Sequence, residues 1–207
     1  MGKEILAISS GLGKPSSSRL LADRLASSVE TSFLAKNISV NVSVIELRDL
    51  AHDITDALLT GFAPARLRKI LDRIREADGL IAVTPVFTAS LSGLFKSFLD
   101  ILDKNSLAGV PVLLGATAGS PRHSLVLEHS IRPVFSYLRA IVAPTAIFAA
   151  SPDWGSNTEI ELISRIDRAA SEFTTLINQL PKRKTGLGRP DEFDDFIPFE
   201  TILNKKS

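Results

Sequence analysis

The sequence predicts an α/β fold: a doubly wound sheet of five parallel strands with helices on both faces. Three observations lead there. Apolar runs of strand length alternate with helical patterns along the chain. Several runs, such as GLIAVTP (79–85), are apolar throughout, as strands buried on both faces must be. The length of 207 residues suits one α/β domain with a single sizeable core.

The elements follow in order. KEILAIS (3–9) is a short apolar run ended by Ser10-Gly11, the first strand. From Ser16, SSSRLLADRLASSVETSFL places Leu20, Leu21, Leu25 and Val29 at helical spacing, with serines to cap its start. ISVNVSVIEL (38–47) alternates apolar and polar residues and is rich in β-branched side chains, the second strand. HDITDALLTGFAP (52–64) is polar and reads as a long loop. PARLRKILDRIREAD (64–78) is an amphipathic helix, opening on Pro64 and ending before Gly79. GLIAVTP is the third strand, LSGLFKSFLDILDK (91–104) a helix, and GVPVLLGATAGS (109–120) the fourth strand with its loop. HSLVLEHSIRPVFSYLRA (123–140) is helical, disturbed where Pro133 removes a backbone donor. IVAPTAIFAA (141–150) supplies the fifth strand and SNTEIELISRIDRAASEFTTLINQL (156–180) the closing helix.

For five strands, right-handed crossovers favour the flavodoxin-like strand order 2-1-3-4-5. Its switch point lies between strands one and three, and ligands bind outside the carboxyl ends there. Residues 1–180 form this domain. Residues 181–207 change character, with a basic start and then aromatics among acids. They read as a tail, extended or packed on the body or a neighbouring subunit through Phe193, Phe196, Ile197 and Phe199.

Composition narrows the function. Lysine and arginine nearly balance the acids for a net charge of +1, which offers no strong field for nucleic acid or a membrane surface. No apolar stretch approaches bilayer-spanning length. The first strand starts too early for a charged n-region and an apolar h-region, so a cytoplasmic chain is expected. With no cysteine, thiol catalysis and thiolate metal sites are excluded, and three scattered histidines do not suggest zinc. The acids Asp191, Glu192, Asp194 and Asp195 read as a solvated face.

Three loops follow strands one, three and four: SSGLGKPSSSR (9–19), TPVFTASLSG (84–93) and ATAGSPRH (116–123). Parallel strands bring all three to one edge of the sheet. Loop one suits a phosphate: Ser10, Ser16, Ser17 and Ser18 carry hydroxyls, and the next helix adds N–H groups and its positive end. Taken singly, a serine-rich turn is also an ordinary polar cap. The loop has neither a Walker pattern nor GxGxxG. In loop two, Pro85 holds the backbone open, Phe87 flanks a flat ring or tucks into the core, and Ser90 precedes a helix. In loop three, Thr117, Ala118, Gly119 and Ser120 allow close approach of a ligand to the backbone. Together the loops describe a mononucleotide with a planar head group.

These loops resemble the NAD(P)H-dependent FMN reductase family, and within it the branch serving two-component flavin monooxygenases, including the alkanesulfonate-linked reductases. The resemblance spans roughly residues 3 to 180. Ser10, Ser16 and Ser18 match the family's G-S…S-x-(S/N) loop, with Ser9 in place of glycine. ADGLIAVTPVFTASLSGLFKSFLD is similar to its most specific segment, with Phe87 where tyrosine is commoner. ATAGSPRHSLVLEHSIRPVFSYLRA resembles the branch's third segment, with Ala118 where glycine is frequent.

The resemblance implies an oxidoreductase that moves hydride from NADPH or NADH to FMN. It places Ser10, Ser16 and Ser18 at the phosphate, Pro85, Val86 and Phe87 against the ribityl and ring, and Thr117 to Ser120 along the other side of the isoalloxazine. No catalytic side chain is required, because the flavin carries the chemistry; N–H groups around Ala118 to Ser120 would stabilise the reduced ring. His129 falls in a turn that is irregular and widened in the branch, near a subunit interface, where some members have tyrosine. His123 orients loop three, touches the nicotinamide end or makes a structural hydrogen bond; Lys14 and Arg122 flank the site where the extra phosphate of NADPH would lie; His52 has no role. Family precedent and the aromatic tail suggest a homodimer or homotetramer, and the tail is similar to those of reductases partnered with luciferase-like monooxygenases. A quinone or azo-dye reductase of the same fold is the competing enzyme. An FMN electron carrier is the non-enzyme alternative, set back by the balanced charge and the different phosphate loop.

Overall fold

The computed structural model describes residues 2–155 and 158–181. The tail expected over 181–207 lies, beyond Pro181, outside the described residues. Among the described residues seven strands make one sheet: β1 (Lys3–Ser9), β2 (Val40–Glu46), β3 (Gly79–Phe87), β4 (Ser90–Leu91), β5 (Pro111–Ala118), β6 (Ile141–Val142) and β7 (Ile147–Ala150). The helices are α1 (Ser17–Leu34), α2 (Ala51–Thr60), α3 (Ala65–Glu76), α4 (Gly93–Asp100), α5 (Arg132–Tyr137) and α6 (Glu159–Gln179). Strands β2, β1, β3 and β5 lie side by side and parallel, and β6 and β7 both continue beyond β5. This is the expected flavodoxin-like order, with the fifth strand split in two.

The split has a local cause. Pro144 has no N–H to give a ladder, and the carbonyls of Ala143 and Pro144 turn to the Arg132 guanidinium at 3.1 and 3.3 Å. Strand β4 is an addition that the sequence reading did not contain. It folds back antiparallel on the end of β3, pairing Val86 with Leu91 and Phe87 with Ser90.

Alternation along each strand sends neighbouring side chains to opposite faces. Ile5, Ala7, Ile81, Val83, Leu113 and Ile147 pack under α1 and α6, with Phe33 and Phe173. Leu6, Ile8, Leu80, Ala82, Val112 and Leu114 belong to the other face, with Phe95, Phe98 and Phe135 from α4 and α5. Burial of each of the larger side chains contributes roughly 1.5–3 kcal/mol. Two covered faces explain why β3 is apolar without alternation.

Two further expectations are corrected. The stretch read as a long loop over 52–64 is mostly helix α2. Its polar residues lie outward while Ile54 and Ala57 are buried, and Gly61 closes it at φ 76°, a left-handed conformation that suits glycine. The helix expected over 123–140 is shorter and irregular: after a 3₁₀ turn Pro121–His123, it runs from a widened π turn Leu127–Ile131 straight into α5. The disturbance expected at Pro133 lies just before it, in that widened turn, which leads directly into α5. Helix α4 begins at Gly93 because Leu91 is claimed by β4. No helix among the described residues is long and apolar enough to cross a membrane.

Candidate functional site

Register brings the three loops together. Ser9 pairs with Val83, and Pro85 pairs with Thr117, so β1, β3 and β5 end side by side at one sheet edge. Loop one then closes on itself. Ser16 caps α1, its Oγ accepting the Arg19 N–H at 3.2 Å, which leaves its own proton to donate. A Cβ at Gly11 would stand 2.0 Å from Ser16 Oγ, so only glycine permits this close approach. Ser17 is exposed at the start of α1. The first N–H groups of a helix have no intrahelical acceptor.

The other two serines point inward. Ser18 is buried, and its Oγ lies 2.7 Å from Thr117 Oγ1 on β5, tying loop one to loop three beneath α1. Ser10 is fully buried on the opposite face. Its N–H donates to Val83 O at 3.0 Å, and its Oγ accepts from Ser92 Oγ at 3.2 Å. Ser92 caps α4 by accepting the Phe95 N–H, and its own N–H donates to Thr84 Oγ1 at 3.1 Å. A buried line of hydroxyls therefore runs from loop one to loop two. The sequence reading passed over Thr84 and Ser92, although Ser92 stands three residues before Phe95 as a helix cap should. Ser9 Oγ is buried and has no partner among the described residues.

Loop two is a tight hairpin. Thr88 and Ala89 occupy its two central positions at φ 48° and 63°, a left-handed turn made without glycine. Pro85 is buried, Val86 half-buried, Ser90 half-buried, and Phe87 is 43% exposed rather than part of the core. In loop three, Ala118 and Ser120 are half-buried, while Gly119 is exposed with open space where a Cβ would stand.

The surroundings favour an anion. The first turn of α1 carries no acid. Arg19 stands between Asp23 and Glu46; its hydrogen bond to Asp23 leads in raising its pKa above the ordinary value. Lys14 is exposed on loop one. At loop three, Arg122 Nε donates to His123 Nε2 at 3.1 Å, so these two side chains face each other. His129 lies exposed in the widened turn, and His52 is exposed on α2. Among the described residues no cluster of histidine, aspartate or glutamate could hold a metal ion.

A family model described as NADPH-dependent FMN reductase matches residues 4–155, a span that contains all three loops. The chain belongs to the NADPH-dependent FMN reductase family. As an FMN reductase it is an oxidoreductase with FMN and a reduced nicotinamide nucleotide as its ligands, as the sequence motifs led us to expect. It is similar to the FMN reductase (NADPH) of Pseudomonas aeruginosa, 38% identical over 175 residues that cover 84% of this chain and 91% of the relative. The NADH-dependent FMN reductase SfnF of Pseudomonas fluorescens is 36% identical over 185 residues, 86% of this chain and 96% of SfnF. Among solved structures, an oxidoreductase from Corynebacterium diphtheriae superposes with a TM-score of 0.84 at 43% identity, covering 87% of this chain and 99% of that one. The residues of this FMN reductase fit the flavin nucleotide: a hydroxyl cradle closed over a glycine suits a phosphate, and two loops of small residues beside exposed Phe87 suit a flat ring.

Proposed function

We propose that loop one holds the FMN phosphate through the hydroxyls of Ser16 and Ser17 and the N–H groups that open α1. The observation that carries this reading is the closure of Gly11 over Ser16 at the head of an 18-residue helix. Ser10 and Ser18, assigned to the phosphate on sequence motifs, act here as braces, since both are buried with their hydroxyls bound inside the protein. Pro85, Val86, Phe87 and Ser90 form one wall of the site, and Thr117, Ala118, Gly119 and Ser120 the other. When bound, the flavin supplies the chemistry, accepting hydride from the nicotinamide at its N5. The chain's own work is to orient the ring between the two walls and to donate N–H groups around Ala118 to Ser120 where negative charge develops.

The reading extends to biology. The site is walled by exposed Phe87 and Gly119, an openness suited to release of reduced flavin to a two-component monooxygenase, the partnership implied by the sequence motifs. A homodimer or homotetramer, as the sequence motifs imply, would cover the groove of about 460 Å³ between α4 and α5, where Leu99, Leu102, Val134 and the 74% exposed Tyr137 stand among Lys96, Asp100 and Lys104. The enzyme would work in the cytoplasm, where reduced nicotinamide nucleotides are available.

The test is a titration of the purified protein with FMN and with riboflavin, which lacks the phosphate. Wild type should prefer FMN. A Ser16→Ala/Ser17→Ala variant should lose about tenfold or more in FMN affinity and little for riboflavin. Equal affinity of wild type for the two flavins would overturn the assignment. The absorbance spectrum of the protein as purified separates a retained cofactor from a released one.

A further inference from the structure

Loop one is held from outside by a residue that no motif marks. Arg48 stands in the 3₁₀ turn Leu47–Leu50 that follows β2, with its side chain only 19% exposed. Its Nη1 donates to two successive carbonyls of loop one, Leu12 O at 3.2 Å and Gly13 O at 2.9 Å. Its Nε lies 3.6 Å from Asp49 Oδ1, which steadies the guanidinium plane. Across a planar trans peptide, the C=O of one residue and the N–H of the next point in opposite directions. With the Leu12 and Gly13 carbonyls turned to Arg48, the N–H groups of Gly13 and Lys14 are turned away from it. Among the described residues neither N–H meets a backbone acceptor. Successive N–H groups turned the same way make an anion-binding concavity.

We propose that Arg48 is the positioning residue of the phosphate loop, gathering two carbonyls so that the Gly13 and Lys14 N–H groups are presented to the phosphate. The proposal rests on the phosphate reading of loop one. Arg48 stands behind the loop, touches its main chain, and works through it.

The experiment measures dissociation constants for FMN and riboflavin by flavin fluorescence, with the intact chain, for wild type, Arg48→Met and Arg48→Lys. Methionine keeps the apolar stem and removes the guanidinium; lysine keeps the charge and one donor group. Arg48→Met should weaken FMN binding by about tenfold and shift riboflavin by less than about twofold. In steady-state assays KM for FMN should rise while kcat at saturating FMN holds. Arg48→Lys should show the same selective loss in smaller measure, and it carries the test if the methionine variant does not fold. Unchanged FMN affinity, or an equal loss for both flavins, overturns the role of Arg48. A wild type that does not distinguish the two flavins overturns the phosphate reading itself.

Discussion

Ser18 and Thr117 show how one pair of hydroxyls joins two loops. Both are buried, with their hydroxyl oxygens 2.7 Å apart. Thr117→Val keeps the shape and removes the oxygen, stranding the Ser18 hydroxyl in the interior. The expected cost is about 1–3 kcal/mol, read from urea denaturation; Ser18→Ala added to it should recover part of that loss, since both polar groups are then gone. The inward turn of Ser18 was legible in the chain: it stands three before Leu21 and seven before Leu25, on the buried stripe of α1. Ser10 likewise shares the parity of Leu6 and Ile8 in β1. Motif matching grouped these serines with Ser16, whereas their phase separates them. Arg48 had no such local signal, because its partners lie 35 and 36 residues away.

Among the elements, the β3–β4 hairpin carries the clearest strain. A β-branched threonine at φ 48° and an alanine at 63° occupy positions that asparagine and glycine fill at little cost. Thr88→Asn/Ala89→Gly should therefore stabilise the protein by about 1–2 kcal/mol in urea denaturation, by relief of that strain. No gain would mean that the surrounding packing, not the turn, sets the conformation. The hairpin was hidden in the sequence because TASLSG offers no glycine at the turn. Helix α2 was hidden for another reason: its outward face is dense with polar residues, and only Leu50, Ile54 and Ala57 with Gly61 behind them betray the helical period. The divided outer strand follows from Pro144, which is visible in the sequence, and from Arg132, whose reach across to that bend is not.

At the scale of the molecule, both layers and the strand order follow from alternation and continuous apolar runs, which is why the architecture was legible and the distant hydrogen bonds were not. Acid resistance belongs to this scale too. Glu159 opens α6 and pairs with Arg24 of α1, whose guanidinium lies 5.0 Å from the ring centre of Trp154. The hydrogen bond from Arg24 holds the Glu159 carboxyl below its ordinary pKa, and Arg132 does the same for Glu128. A lowered folded pKa gives stability that is complete above the ordinary glutamate range and fades as pH falls through the lowered values. Melting temperatures measured from neutral to acid should thus fall less steeply in Glu159→Gln than in wild type; parallel curves would show that the pair does not contribute. The two hydroxyl braces have a consequence for the whole edge. One joins α1 to β5 and the other joins loop one to the start of α4, so the corner proposed to hold the nucleotide's charged end and the rims proposed to flank its ring are tied together from both sides of the sheet. On the proposed reading, a flavin would enter and leave through a frame tied on both sides of the sheet, past the exposed side chain of Phe87.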